Sequence, residues 1–152
     1  MTVLTGCDAA GPPEAPPPST TEAPSPTIAG PVPGQECPTT PQAAPEAHGG
    51  GPGTDLWALF FFREGEGPLR RDAEIKVVWR MTGAGDLTMT ATGPNGAVTG
   101  PAWGPESHGG STWKRPGDEW GTGWTFPAAG CWTITARRAT TGTASLVVRV
   151  AP

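Results

Sequence analysis

This 152-residue sequence has two histidines, whose imidazoles could act as bases or metal ligands near neutral pH. His48 and His108 are each followed by two glycines, and neither lies in a metal-ligand spacing such as HExxH. The sequence also lacks the GxSxG elbow that would present a catalytic serine. We therefore expect no catalytic residue, no bound metal and no other cofactor.

An alternative function would use His108 together with nearby carboxylates. Glu106 or Asp118 could complete a metal site with the two histidines. The adjacent acids Asp118 and Glu119 could form a glycosidase pair only with a partner carboxylate about 5 to 10 Å away. This alternative is a metal-binding or hydrolytic protein of the cell envelope; exposed loop histidines and turn acids are the simpler interpretation.

Tryptophan is unusually frequent, with seven residues against no tyrosine, and four of them lie between residues 103 and 124. Flat rings on the loops of a β domain can stack on sugar faces, while neighbouring charged groups bind the hydroxyls. The alternative is that these loop rings pack on a small core. The candidate ligand-binding residues are Trp103, Trp113, Trp120, Lys114, Arg115, Asp118 and Glu119.

Short apolar or alternating runs separated by Gly, Pro and Asn dominate the chain from about residue 54, a texture typical of an all-β sandwich. No segment of ten or more residues free of Gly and Pro has helical periodicity. Residues 100–123 are interpreted as a glycine-rich excursion between strands. The predicted strands are 56–63, 74–81, 87–92, 131–136 and 145–150, and the tryptophans assigned to the core are Trp57, Trp79, Trp124 and Trp132.

The run Phe126–Thr135 (FPAAGCWTIT) is similar to the penultimate strand of bacterial immunoglobulin-like domains. Together with Glu36-Cys37-Pro38, Leu56-Trp57 and Ser145–Val150, it resembles a family of uncharacterised secreted lipoproteins of high-GC Gram-positive bacteria with a Gly-Cys-Trp strand. Residues 82–115 depart from the family pattern. The resemblance implies an immunoglobulin-like β-sandwich, placed here at residues 49–152, and an extracytoplasmic location without an assigned activity.

The N-terminal motif Leu4-Thr5-Gly6-Cys7 looks like a bacterial lipobox, in which the cysteine is alkylated by a diacylglyceryl group and the chain is cut before it. Two acyl chains suffice to hold a small domain at a membrane. The basic and apolar regions of a signal peptide do not precede Val3, so we expect residues 1–7 to be the remnant of a signal that starts upstream. The protein is then lipid-anchored to the cell membrane on its extracytoplasmic side.

Proline-rich sequence follows the motif, with 12 prolines between Gly11 and Pro45. No apolar face could offset the entropy lost on ordering it, so residues 8–48 are predicted to be a disordered linker. Once Cys7 carries lipid, Cys37 and Cys131 remain. Outside the cytoplasm such a pair usually forms a disulfide bond, which would tie Cys37 to the domain.

The distribution of charge excludes one class of partner. Residues 8–48 contain five acids and no Lys or Arg, and the remainder lacks the basic excess that nucleic-acid binding requires. The sequence has no apolar stretch of 18 residues, so membrane contact must come from the lipid. We therefore expect a non-enzymatic envelope lipoprotein whose domain binds or supports a cell-wall glycan or an envelope protein.

Overall fold

The computed structural model describes residues 37, 45–63, 67 and 69–152. Cys7, the signal remnant 1–7 and most of the predicted linker lie outside these described residues. The predicted all-β fold is confirmed, and within the described part no helix is long and apolar enough to cross a membrane. The strands are β1 (Glu46–Gly51), β2 (Thr54–Phe61), β3 (Glu74–Met81), β4 (Leu87–Thr92), β5 (Val98–Thr99), β6 (Trp103–Ser107), β7 (Asp118–Thr125), β8 (Gly130–Arg138) and β9 (Thr143–Val150).

All nine strands belong to one antiparallel sheet with the order β5-β4-β8-β9-β1-β2-β3-β7-β6. β1 joins the two halves of this sheet: it pairs with β2 along its whole length but with β9 only at Gly50 and Ser145. The sheet curls so that its two halves enclose one hydrophobic core, which receives side chains from β2, β3 and β7 on one side and from β4, β8 and β9 on the other.

Period-two alternation explains which side chains enter this core. β3 and β4 have the bounds expected from their alternating patterns. In β2, Leu56, Ala58 and Phe60 point inward and are buried, so Trp57 must point outward. The assignment of Trp57 to the core is therefore wrong: its ring is half-buried on the outer face of the sheet.

Strand β1 begins at Glu46, inside the region predicted to be linker up to residue 48. The chain is already held at Pro45, whose carbonyl accepts a hydrogen bond of 2.7 Å from the Phe60 amide. Strand β6 and most of β7 likewise lie within the predicted glycine-rich excursion of residues 100–123. Glycine is required there because a Cβ at position 123 of β7 would overlap the Trp103 ring.

Three of the four tryptophans assigned to the core, Trp79, Trp124 and Trp132, are completely buried. A buried indole N–H must find an acceptor, because an unpaired one costs about 1 to 3 kcal/mol. Trp79 and Trp124 both donate to the hydroxyl of Thr122, at 2.7 and 2.9 Å, and Trp132 donates to the carbonyl of Ala128 at 2.9 Å.

Cys37 and Cys131 form the predicted disulfide, with their Cα atoms 5.7 Å apart. The bond attaches a residue that precedes β1 by nine positions to the start of β8, on the other half of the sheet. It closes a loop that contains seven of the nine strands, β1 to β7.

We predict that the double variant Cys37→Ala/Cys131→Ala unfolds in urea with a free energy about 4 to 5 kcal/mol below that of the oxidised protein. A loop with a sequence separation of 94 restricts the unfolded chain by about that amount in the chain-entropy treatment. The reduced wild-type protein is the control and should match the double variant. Equal stability of the variant and the oxidised protein would contradict this role.

Candidate functional site

A row of side chains crosses the outer face of the sheet from β1 to β7. Strand register pairs His48 with Trp57, Trp57 with Arg80 and Arg80 with Glu119. Adjacent strands are about 4.8 Å apart, so these four neighbours form a continuous line. We call them the polar row, and His108 extends it because its Nδ1 lies 2.5 Å from Glu119 Oε1.

Glu119 is the electrostatic centre of the row. Its side chain is only 2% exposed and accepts a hydrogen bond of 2.8 Å from Arg80 Nε as well as the one from His108. Burial raises the pKa of Glu119, but the hydrogen bonds from His108, Arg80 and Ser111, together with the positive charge of Arg80, outweigh it and lower the pKa overall. The carboxylate is therefore ionised and holds both neighbours in place.

The loop of residues 109–117, between β6 and β7, is fixed against the polar row by Arg80. Arg80 Nη1 donates to the carbonyls of Arg115 and Gly117 at 3.0 and 3.2 Å. The Arg115 guanidinium in turn lies over the Trp57 ring, 4.8 Å from its centroid. A backbone contact and a cation–π contact thus hold the same loop.

Glu46 at the start of β1 forms a second attachment for this loop. Both of its carboxylate oxygens accept hydrogen bonds from Arg115, at 2.6 to 3.0 Å, and Trp113 Nε1 donates to the same group at 2.8 Å. A paired guanidinium and carboxylate fix orientation as well as distance. The loop tryptophan is consequently held in one position on the outer face.

Trp57 lies among these groups, but its indole N–H donates no hydrogen bond to any described residue. The His48 ring stacks on its indole with centroids 3.8 Å apart and planes 13° from parallel. The indole nitrogen is buried, and no acceptor for it is found among the described residues. The ring is therefore held by the His48 ring and the Arg115 guanidinium, without a hydrogen bond of its own.

Trp103 forms a third aromatic position on the same face, at the edge of the sheet. Its indole lies on the bare backbone of Gly121 and Gly123, and its Nε1 donates to Glu74 Oε1 at 3.0 Å. Register with Gly123 places it in line with Lys76 and Phe61, four residues along the strands from the polar row.

A polar pocket of about 430 Å³ opens at the end of the sheet, next to Glu119 and His108. Its wall is built around Arg138, whose side chain is only 3% exposed. This guanidinium donates to the carbonyls of Gly85 and Met81 and to Asp118 Oδ2, and it lies over the Trp120 ring at 4.4 Å. The lining residues are Arg80, Gly85, Asp86, Ser107, His108, Gly117, Asp118, Glu119, Trp120 and Arg138.

The seven candidate ligand-binding residues are divided by the structure into three places. Asp118, Glu119 and Trp120 line the pocket, although the Trp120 ring itself is packed in the core. The segment Trp113–Arg115 belongs to the loop over the polar row, where the Lys114 ammonium donates to the Ser111 carbonyl at 3.0 Å. Trp103 lies apart from both, beside β7.

Several residues of the site are not among those that the sequence predicted. The alternation of Trp132, Ile134 and Ala136 places Arg138 on the inner face of β8, so a buried arginine could have been inferred there. Arg80 and Glu46 carry no such signal, because their partners come from distant parts of the chain. Asp86 lies in the turn before β4 and has no side-chain partner among the described residues, so its local sequence does not mark it as a pocket residue.

The structure does not assemble the metal site considered for the two histidines. His48 and His108 lie at opposite ends of the polar row, and His48 Nε2 is 3.1 Å from Asp55 rather than near His108. Residues 45–63 and 69–152, with Cys37 and Gly67, contain no group of three His, Cys, Asp or Glu side chains that could hold a metal ion.

Chemically, His108 and Glu119 have the arrangement of a base and the carboxylate that orients it. An ionised carboxylate only accepts, so His108 donates from Nδ1, and in a neutral imidazole Nε2 is then the acceptor. In the described part of the chain, no serine, threonine or cysteine side chain is hydrogen-bonded to this imidazole. Among these residues the pair therefore has no hydrogen-bonded nucleophile of the kind that a Ser–His or Cys–His site contains.

Comparison of the chain with protein-family models, with curated proteins and with solved structures finds no match.

We predict that Glu119→Gln lowers the free energy of unfolding by about 3 kcal/mol near neutral pH, because Arg80 loses its buried ion partner. The folded pKa of Glu119 lies below its ordinary value of 4.5, so its stabilisation is complete above that value and is lost as the pH falls through the folded pKa. The stability gap between wild type and variant should therefore narrow below pH 4.5, as measured by urea unfolding.

Glu106→Gln is the matched control, since Glu106 is an exposed acid on the neighbouring strand. It should change stability by less than about 0.5 kcal/mol. A gap between wild type and Glu119→Gln that is the same at about pH 3 and about pH 7 would contradict the ionised, buried state of Glu119.

Proposed function

We propose that the protein is a non-enzymatic lipoprotein of the cell envelope whose β domain binds an extended glycan on its outer face. The observation that carries this proposal is that Trp57, Trp103 and Trp113 are half-buried on one face of the sheet, each fixed by polar or stacking contacts. Rings that are already ordered lose little entropy when a sugar stacks on them.

The spacing of these rings supports a long ligand. Trp103 and Trp57 lie four residues apart along the strands, about 13 Å, and three strands apart across the sheet, about 14 Å. A single sugar ring could not touch both. A chain of several sugars could, and it would cross the charged side chains between them.

Charged groups surround each ring and can exchange hydrogen bonds with sugar hydroxyls. Glu74 lies at Trp103, and Glu46 and Arg115 lie at Trp113. Lys76 is close by, with its ammonium 5.2 Å from the ring centroid of the half-exposed Phe61. Mixed charge beside flat apolar rings suits a polar, neutral polymer better than a hydrophobic or a strongly charged one.

The lipid anchor is proposed from the sequence. Leu4-Thr5-Gly6-Cys7 supplies the acylation motif, and the proline-rich linker could extend at most about 90 Å between Asp8 and Glu36. A domain on such a tether can reach glycan that lies away from the membrane surface. The location and the ligand proposed here are therefore compatible.

We predict that Cys7→Ser releases the protein from the membrane fraction of a Gram-positive host into the medium, because no acyl chain can then be attached. The wild-type protein should remain in the membrane fraction, with the mass of a diacylglyceryl group on its N-terminal peptide. An unmodified N-terminal peptide in that fraction would refute the anchor without affecting the glycan proposal.

We predict that purified cell wall retains the wild-type protein and that Trp103→Ala/Trp113→Ala lowers this retention at least about tenfold, because two stacking surfaces are lost. Retention is measured by co-sedimentation. Val98→Ala, which removes an exposed apolar side chain at the other edge of the sheet, is the control and should be retained like wild type. Undiminished retention of the double variant would overturn the proposed face.

A further inference from the structure

The pocket beside His108 has a chemical character that differs from the aromatic outer face. Its volume of about 430 Å³ falls in the range of small-molecule sites, about 300 to 1,000 Å³, and its lining is mostly polar. The residues around it come from the ends of β3, β6 and β8, the start of β7 and the turn before β4. It is therefore held by the sheet itself.

The arginines of the pocket already donate most of their hydrogen bonds to other groups of the protein. Arg138 donates to two carbonyls and to Asp118, and Arg80 donates to two carbonyls and to Glu119. Their side chains are only 3% and 17% exposed. Each guanidinium charge is balanced by a carboxylate within 2.8 Å, so neither is well placed to attract an anion.

The groups that remain available in the pocket are acceptors. Asp86 is exposed, and its carboxylate makes no hydrogen bond or ion pair with any described residue. Asp118 is 68% exposed and uses one oxygen for Arg138, which leaves the other. A neutral His108 has Nε2 as an acceptor because Nδ1 donates to Glu119, and the Ser107 hydroxyl can accept as well.

The net charge of the pocket also favours a ligand that donates hydrogen bonds and is positively charged. Three carboxylates, those of Asp86, Asp118 and Glu119, face two guanidinium groups, so with a neutral His108 the pocket carries a formal charge of about −1. An ammonium group has three donors and one positive charge, and it would meet the carboxylates of Asp86 and Asp118 and the acceptors of Ser107 and His108.

We propose that this pocket binds the primary ammonium group of a small polar molecule. Such a group could belong to an amino sugar or to the free amino end of a peptide, and the test separates these two sources. The inference is independent of the aromatic face, because none of Trp57, Trp103 and Trp113 lines the pocket.

The test is a titration of the full, oxidised chain followed by NMR shifts of the amides of Gly85, Asp86 and Asp118. The probes are glucosamine and glycinamide, each paired with its N-acetylated form, at about pH 7, where the amines are largely protonated and an ordinary imidazole is largely neutral. Each amine should bind at least about tenfold more tightly than its acetylated form. A stronger response to glucosamine identifies an amino sugar as the source, and a stronger response to glycinamide identifies a peptide amine.

Asp86→Asn should weaken amine binding by about tenfold, since the carboxylate charge is removed while size is kept. The fold should be unaffected because this side chain contacts no described partner. Asp72→Asn is the matched control: it removes an exposed acid outside the pocket and should leave the affinity unchanged.

Three results would overturn the inference. The first is equal affinity for the amines and their acetylated forms, and the second is unchanged affinity in Asp86→Asn. The third is a response of these amides to acetate or phosphate but to neither amine, which would make the pocket an anion site. A loss of cell-wall retention by the Trp103/Trp113 variant bears on the other face alone.

Discussion

The rest of the structure depends on the hydrogen bonds of the Thr122 hydroxyl group. It accepts hydrogen bonds from the buried indoles of Trp79 and Trp124 and donates to the carbonyl of Val77, so both its lone pairs and its proton are used. Without this hydroxyl, two large aromatic side chains would have buried N–H groups with no acceptor. The core can hold these rings only if β7 lies beside β3 in this register.

The register of β7 decides what the outer face presents. Thr122 points inward, so alternation sends its neighbours Gly121 and Gly123 outward, where their bare backbone receives the Trp103 ring. Two positions further along, the same parity sends Glu119 outward, opposite Arg80. A hydroxyl at the centre of the core thus fixes both the aromatic edge and the carboxylate of the polar row.

The local alternation of apolar and polar residues predicted the strands that have one apolar and one polar face. It failed for strands whose position or orientation depends on partners far away in the sequence. β3 and β4 could be placed because apolar and polar residues alternate in them. In β2 nearly every residue is apolar, so pattern alone could not show that Trp57 points outward. Strand β1, with the sequence EAHGGG, has no apolar periodicity, and it forms because Glu46 and His48 find partners on a distant loop and on β2.

The dependence on distant partners also explains why only part of the candidate site could be predicted from the sequence. Tryptophans on glycine-rich sequence indicate a candidate binding region at residues 103–124, and two of those rings do lie on the outer face. The pocket was not predictable, because Arg80 and Arg138 are separated by 58 residues and become neighbours only when the sheet curls. Charged residues that pair across such separations leave no local spacing to recognise.

Strand β7 also connects the aromatic outer face to the polar pocket. Glu119 faces outward and Trp120 inward, so consecutive residues support the polar row and the floor under Arg138. Arg80 belongs to both surfaces, because it pairs with Glu119 and also holds the 109–117 loop through two carbonyls. A movement of that loop would change the position of Trp113 and the pocket wall at Gly117 together. The aromatic face and the pocket are therefore chemically distinct but share one mechanical support.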